Sequence, residues 1–204
     1  VEKFPAIDVV IKHEAESALP QLVEAVLDER DFSKVPGAVY RRETQVAANP
    51  PAPFIAAADI PAPDYALLNL RDYREHNRQH PYIHPGFALV ESGRGCAWNC
   101  SFCAPNKMWQ RHVRYRPLPA ILAEMRFLAG EGFDFIFFTQ DNLDEIFLAE
   151  LSAAISAAAL PVQWGCYARL DRIPEATLER MAQAGCRLLF AGLETPNAAG
   201  QKFV

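Results

Sequence analysis

Hydrophobic positions along the chain fall into two rhythmic regions separated by a stretch with no period. Near the start, Ile7 to Ile11 (IDVVI) is an unbroken β-branched run, which predicts a strand buried on both faces of a parallel sheet. Leu19, Leu22, Val23, Val26 and Leu27 then recur at helical spacing, with Pro20 tolerable in the first turn. Pro36 and Gly37 punctuate before a short return strand, AVYRR. From Glu43 to Pro85 the pattern is lost, and the Pro- and Ala-rich AANPPAPFIAAADIPAP predicts an extended linker, followed by one short helix in DYALLNLRDYREH. A second rhythm begins at Phe87. FALVESG, FDFIFFT, VQWGCYA and CRLLFAGLE predict four strands. Between them lie helical runs: Leu118, Ile121, Leu122, Met125 and Leu128; Ile146 to Ala159; and a helix opened by Pro174 and closed by Gly185.

Strands alternating with helices in this way predict βαβ units and a parallel sheet, with functional groups in the loops after Ser92, Thr139, Ala168 and Leu193, where strands end. The strand–helix–strand piece at the start is too small to bury a core of its own, so it reads as the tail of another α/β domain. The predicted organisation is therefore residues 1–42 as the tail of an α/β domain, 43–85 as linker and 86–204 as a βα core.

Composition narrows the partners. The 204 residues carry a net charge of −5, which argues against nucleic-acid coating and polybasic membrane anchoring. No apolar run approaches the roughly 18 residues of a membrane span, and VEKFPAIDVV lacks the basic and apolar regions of a signal peptide, so the expected compartment is the cytoplasm. Five cysteines make a poor disulfide framework, and three of them, Cys96, Cys100 and Cys103, crowd into eight residues directly after the first strand of the βα core. Three thiolates on one short loop can ligate three corners of a 4Fe–4S cluster and leave the fourth iron open for chemistry. Phe102 and Trp98 are expected to shield such a cluster from water. The competing reading is a Cys3His zinc site completed by His112, which lies nine residues beyond Cys103 and so departs from the usual paired spacing. Gly93-Arg94-Gly95 resembles the opening of a dinucleotide-binding turn, but Trp98 stands where the third glycine is needed. Cys166 and Cys186, inside apolar strands, are expected to be core packing.

CAWNCSFC resembles the cluster loop of the radical S-adenosylmethionine (radical SAM) superfamily. IDVVIKHEAES, KVPGAVYRR, the Pro-rich linker, RGCAWNCSFCAPNKMW, RHVRYRP and FIFFTQDNL together resemble its cobalamin-binding subfamily. The resemblance implies a partial (β/α)6 barrel with about four of its six units present, preceded by the tail of a Rossmann-like cobalamin-binding domain. It also implies three cofactors: a 4Fe–4S cluster, S-adenosylmethionine (SAM) and cobalamin. The cluster would cleave SAM reductively to a 5′-deoxyadenosyl radical, and cobalamin-dependent members commonly pass a methyl group to the substrate radical. The implied partners are a small-molecule or peptide substrate and an external electron donor of flavodoxin or ferredoxin type.

The same resemblance places Gln140, Asp141 and Asn142 at the SAM amino group, where acceptor oxygens belong. Gln140, an amide where a carboxylate is commoner, departs from that pattern, and all three could instead cap the next helix. Arg169, followed by Asp171, and Glu194 would approach SAM, or else form an ordinary salt bridge across the top of the barrel. Lys107, Arg111, Arg114 and Arg116, interleaved with Trp109 and Tyr115, read as a solvated basic loop in preference to a phosphate-binding one. His76, His80 and His84 recur every four residues, but Pro81 and Pro85 interrupt any helix that would align them. Three functions remain open: a cobalamin-dependent methyltransferase; a radical SAM enzyme of cyclising, oxidising or tRNA-modifying type; and a non-catalytic zinc module. With barrel strands missing, this stretch by itself is expected to turn over poorly.

Overall fold

A computed structural model describes residues 1–28, 31–80, 84, 86–197 and 200, so Pro81 and Pro85 lie outside the described residues. The chain divides into two compact units, residues 1–56 and 57–204.

In the first unit, β1 (Val9–Ile11) is followed by α1 (Leu19–Leu27), β2 (Ala38–Arg42) and β3 (Gln45–Ala48). The sheet order is β1-β2-β3 and every pairing is antiparallel. This departs from the parallel, doubly buried strand expected at Ile7 to Ile11: Val10 is exposed, and Val9 and Ile11 are half-buried. A β-branched run alone cannot distinguish a central parallel strand from one whose second face is open. β3 forms where no period was legible, two residues after β2, through a tight turn with Glu43 at φ 54°. The core gathers Ala18, Phe32, Val35, Ala38 and Tyr40, and α1 adds Leu22 and Ala25 to it. Leu19, Val23, Val26 and Leu27 of the expected apolar stripe are exposed instead.

The second unit opens with two 3-10 turns, at Ala57–Asp59 and Tyr65–Leu67, and α2 (Leu70–Gln79), all within the segment read as linker apart from its one short helix. There follow β4 (Phe87–Val90), β5 (Gly93–Arg94), α3 (Ala104–Trp109), β6 (Arg114–Tyr115), α4 (Leu118–Gly130), β7 (Phe135–Phe138), α5 (Glu145–Ala158), β8 (Gln163–Tyr167), α6 (Glu175–Gln183) and β9 (Cys186–Phe190). β4, β7, β8 and β9 pair in parallel in that order, as the alternating pattern predicts, while β5 and β6 form a small antiparallel ribbon beside the loop after β4. β7 is buried along its whole length because the helices cover one face and the rings of Phe87, Tyr167 and Phe190 lie against Phe137 on the other. The helix side is a continuous core of Val90, Ile136, Phe138, Trp164 and Cys166 against Ile121, Met125, Leu128, Leu148 and Leu151. Cys166 and Cys186 sit in that core as expected, and burial raises the Cys186 thiol to about 11.

One position on α4 breaks the apolar pattern. Glu124 shares the inward face with Ile121 and Leu128 and is 6 % exposed. Its carboxylate accepts hydrogen bonds from Arg116 Nη1 at 2.6 Å and from the Tyr65 hydroxyl at 2.6 Å. Arg116 also donates to the Glu91 carbonyl at 2.7 Å, so the network joins the chain before α2, the end of β4 and the start of α4.

Candidate functional site

The cysteine loop leaves the sheet at the carboxyl end of β4 and is tightly held before any thiol is considered. Gly93 lies so close to the facing strand that a Cβ would strike the Arg114 carbonyl and the Gln140 side chain. Gly95 has φ +95°, and a Cβ there would collide with the His112 carbonyl. Gly95→Ala is expected to lower stability by about 2 kcal/mol and to lower iron loading with it, measured as the urea midpoint and iron per chain.

Gln140 supplies the next restraint. It is 2 % exposed; its Nε2 donates to the Gly95 carbonyl at 3.2 Å and its Oε1 accepts from Ser92 Oγ at 3.4 Å. Both ends of the amide are used, and a carboxylate could not donate to Gly95, which accounts for an amide at this position. Arg111 Nε adds a hydrogen bond to the Ala97 carbonyl at 3.0 Å, and the Cys103 N–H closes a turn on Cys100.

All three loop cysteines are free and half-buried. The Cys96 thiol is pushed up, first by desolvation and then by Asp141, Cys100 and Cys103, against a lowering hydrogen bond from its neighbour Trp98's N–H. Three mutually repelling soft donors, on one loop and partly open to solvent, suit a strongly positive soft centre that would neutralise them together, as an iron–sulfur cluster does. As placed, no three His, Cys, Asp or Glu side chains among the described residues converge on a metal position. The donor set thus fits a cluster, while convergence of the thiols is left to its binding. His112 is exposed and meets the loop through its backbone carbonyl, so the fourth zinc ligand of the Cys3His reading is not brought in. Phe102 is 57 % exposed rather than packed over the thiols, and Trp98 lies beneath the guanidinium groups of Arg169 and Arg172.

The helix-cap alternative for Gln140, Asp141 and Asn142 does not hold, because Asp144 caps α5, accepting from the Phe147 N–H at 2.9 Å. Asp141 takes a side-chain hydrogen bond from Trp109, and partial burial pushes its carboxyl up. Asn142 is buried and helps line a cleft of about 270 Å³ with Trp98, Asp144, Arg169 and Arg172. A larger cleft, of about 360 Å³, opens at the other ends of the strands among His84, Asp134, Gln163 and Arg187; no cysteine lines it, so size does not mark the site. Arg169 forms a forked pair with Asp171 at 3.1 and 3.2 Å, a local contact rather than one spanning the sheet. Glu194 is exposed with φ 56°, and nothing brings it to the other candidates. The basic stretch is solvated only in part: Lys107 and Arg111 are exposed, whereas Arg114 and Arg116 are buried.

Sequence reasoning missed Tyr115 and Asp144. The Tyr115 hydroxyl donates to Asp144 Oδ2 at 2.6 Å and its ring stacks on Phe147 at 3.8 Å, pinning the β5–β6 ribbon to the start of α5. An Asp directly before an apolar helical run was the available signal. Tyr65 and Tyr115 are both held protonated above the usual range, by burial first and by their carboxylate partners second. Because the folded state raises these pKa values, the stability involved is fully present below about pH 10 and is lost as pH climbs through the folded values. Ultraviolet titration of tyrosinate should show two of the chain's six tyrosines ionising late in the native protein and on time in urea.

Comparison with known proteins places these features. A sequence profile described as the radical SAM superfamily matches residues 90–204. An uncharacterized methyltransferase of Pyrococcus horikoshii is 27% identical over 208 residues, covering 100% of this chain and 44% of that protein. An anaerobic magnesium-protoporphyrin IX monomethyl ester cyclase of Synechocystis is 25% identical over 207 residues, covering 99% of this chain and 40% of its own length. The chain therefore spans less than half the length of these relatives. Among solved structures, the cobalamin-dependent SAM radical enzyme OxsB, with aqua-cobalamin and SAM bound, superposes with a TM-score of 0.73 at 20% identity, over 98% of this chain and 30% of that one.

Proposed function

The chain belongs to the radical SAM superfamily, and from that premise we propose that it is the cluster-bearing part of an enzyme that cleaves SAM reductively, with methyl transfer to an unactivated carbon as its reaction. The carrying observation is the trio of free, half-buried thiols of Cys96, Cys100 and Cys103 on one restrained loop at the carboxyl end of β4. When bound there, a 4Fe–4S cluster supplies an iron with no protein ligand for SAM to chelate, and the electron that breaks its sulfonium bond.

The chain's own residues bind and orient. Cys96, Cys100 and Cys103 hold the cluster, and Gln140 fixes the loop through Gly95. Asp141 and Asn142 offer acceptor oxygens to the SAM amino group. By resemblance Arg169 and Glu194 lie toward SAM, and Phe102 lies beside the cluster. The reading includes an external electron donor, a small-molecule or peptide substrate, a cytoplasmic setting and the division into residues 1–42, 43–85 and 86–204.

Methyl transfer is favoured by the methyltransferase relative matching the whole chain, and ring formation is the second reading because the cyclase matches nearly as much. Among the described residues of the first unit no cradle for cobalamin is evident: the sheet is antiparallel, and the one histidine, His13, packs edge-on to Phe54 at 5.7 Å. Anaerobic reconstitution with iron and sulfide, then SAM and a reductant, should give a brown protein that releases 5′-deoxyadenosine. A colourless, zinc-loaded protein would end the proposal, and product methylation with and without added cobalamin separates the two readings.

A further inference from the structure

Trp98 lies between the first two cysteines and is only half-buried. It is nevertheless covered twice. The Arg169 guanidinium stands 4.4 Å from the ring centroid and that of Arg172 stands 5.0 Å away. Both arginines pair with one carboxylate, Asp171: Arg169 through Nε at 3.1 Å, Arg172 through Nε at 3.3 Å. The single 3-10 turn at Leu170–Arg172 places the three side chains together directly after β8.

We propose that Arg169 and Arg172, braced by Asp171, are positioning residues that clamp the Trp98 ring and thereby hold the loop segment between Cys96 and Cys100. The inference rests on the reading of Cys96 as a cluster ligand and gives Arg169 a task distinct from contact with SAM. A guanidinium facing an indole prefers its π-face, and each such contact at a partly exposed site is worth a factor of about two to five in the population of the held conformation. With two contacts, the loop is held in the metal-free protein.

The test uses the whole chain. In the metal-free protein, the reaction rate of the loop thiols with a disulfide reagent is compared among wild type, Trp98→Leu, Trp98→Phe, Arg169→Leu with Arg172→Leu, and the triple variant. Releasing the clamp should speed the reaction several-fold. Trp98→Phe should stay near wild type because a ring remains for the guanidinium groups, and the triple variant should react no faster than Trp98→Leu. Additive effects of ring and arginine removal, or unchanged thiol rates in Trp98→Leu, would overturn the clamp. Failure of wild type to bind iron would instead refute the cluster reading, and thiol rates would still report on the clamp without it. Circular dichroism identifies any variant that has unfolded; for such a variant, Arg169→Lys with Arg172→Lys is substituted, expected to lie between wild type and the leucine pair.

Discussion

Serine at any one of Cys96, Cys100 or Cys103 should abolish the brown chromophore formed on anaerobic reconstitution. The loss should exceed the roughly 10–100-fold that substitutions behind a metal ligand cost. A serine hydroxyl stays protonated where a thiol ionises, and as a hard donor it bonds weakly to iron already held by sulfide. The three sites should behave alike, because each holds a different corner and two thiols cannot retain the rest. Cys166→Ala and Cys186→Ala provide the contrast. Those thiols are buried in the sheet core and held protonated by desolvation, so iron and sulfide content should match wild type even where stability falls. Absorption spectra with iron and sulfide analysis read both sets. A serine variant that keeps full colour would remove the basis of the functional reading.

Glu124→Ala should destabilise the second unit by about 3–5 kcal/mol, more than most truncations of a surface acid. The reason lies in what remains. Arg116, with a side chain only 3 % exposed, would keep its charge in the core with its carboxylate partner gone, and the Tyr65 hydroxyl would lose its acceptor. Glu124→Gln should cost less, since the amide oxygen still accepts from one donor. Replacing the pair together, as Arg116→Met with Glu124→Leu, should recover most of the loss, because two apolar side chains leave no buried charge behind. Urea unfolding followed at constant slope measures all three. If the alanine variant unfolds at the wild-type midpoint, the buried pair is not the restraint inferred.

The elements of the βα core were legible in the sequence because their signals are local. Four apolar strand runs, separated by helical runs of which two open on Pro, dictate a parallel sheet almost irrespective of context. The cysteine trio was legible for a related reason: ligand type and spacing carry the chemistry. The first unit was less so. IDVVI has the same composition whether its neighbours run parallel or antiparallel, and β3 is too short and mixed to announce itself.

What the amino-acid order determined by itself was therefore the alternation of strand and helix and the presence of three clustered thiols after the first strand of the core. What only the tertiary structure decided was which partners long-range packing delivers. Glu124 and Arg116 are buried because α4 turns that face inward, the Gln140 amide is used up by Gly95, and Asp144 takes the cap that three neighbours might have filled. Trp98 meets Arg169 and Arg172 across some seventy residues of sequence for the same reason. Local propensity is written in a few adjacent side chains, whereas a charge's partner depends on how separate elements stack, and no short window of sequence contains both.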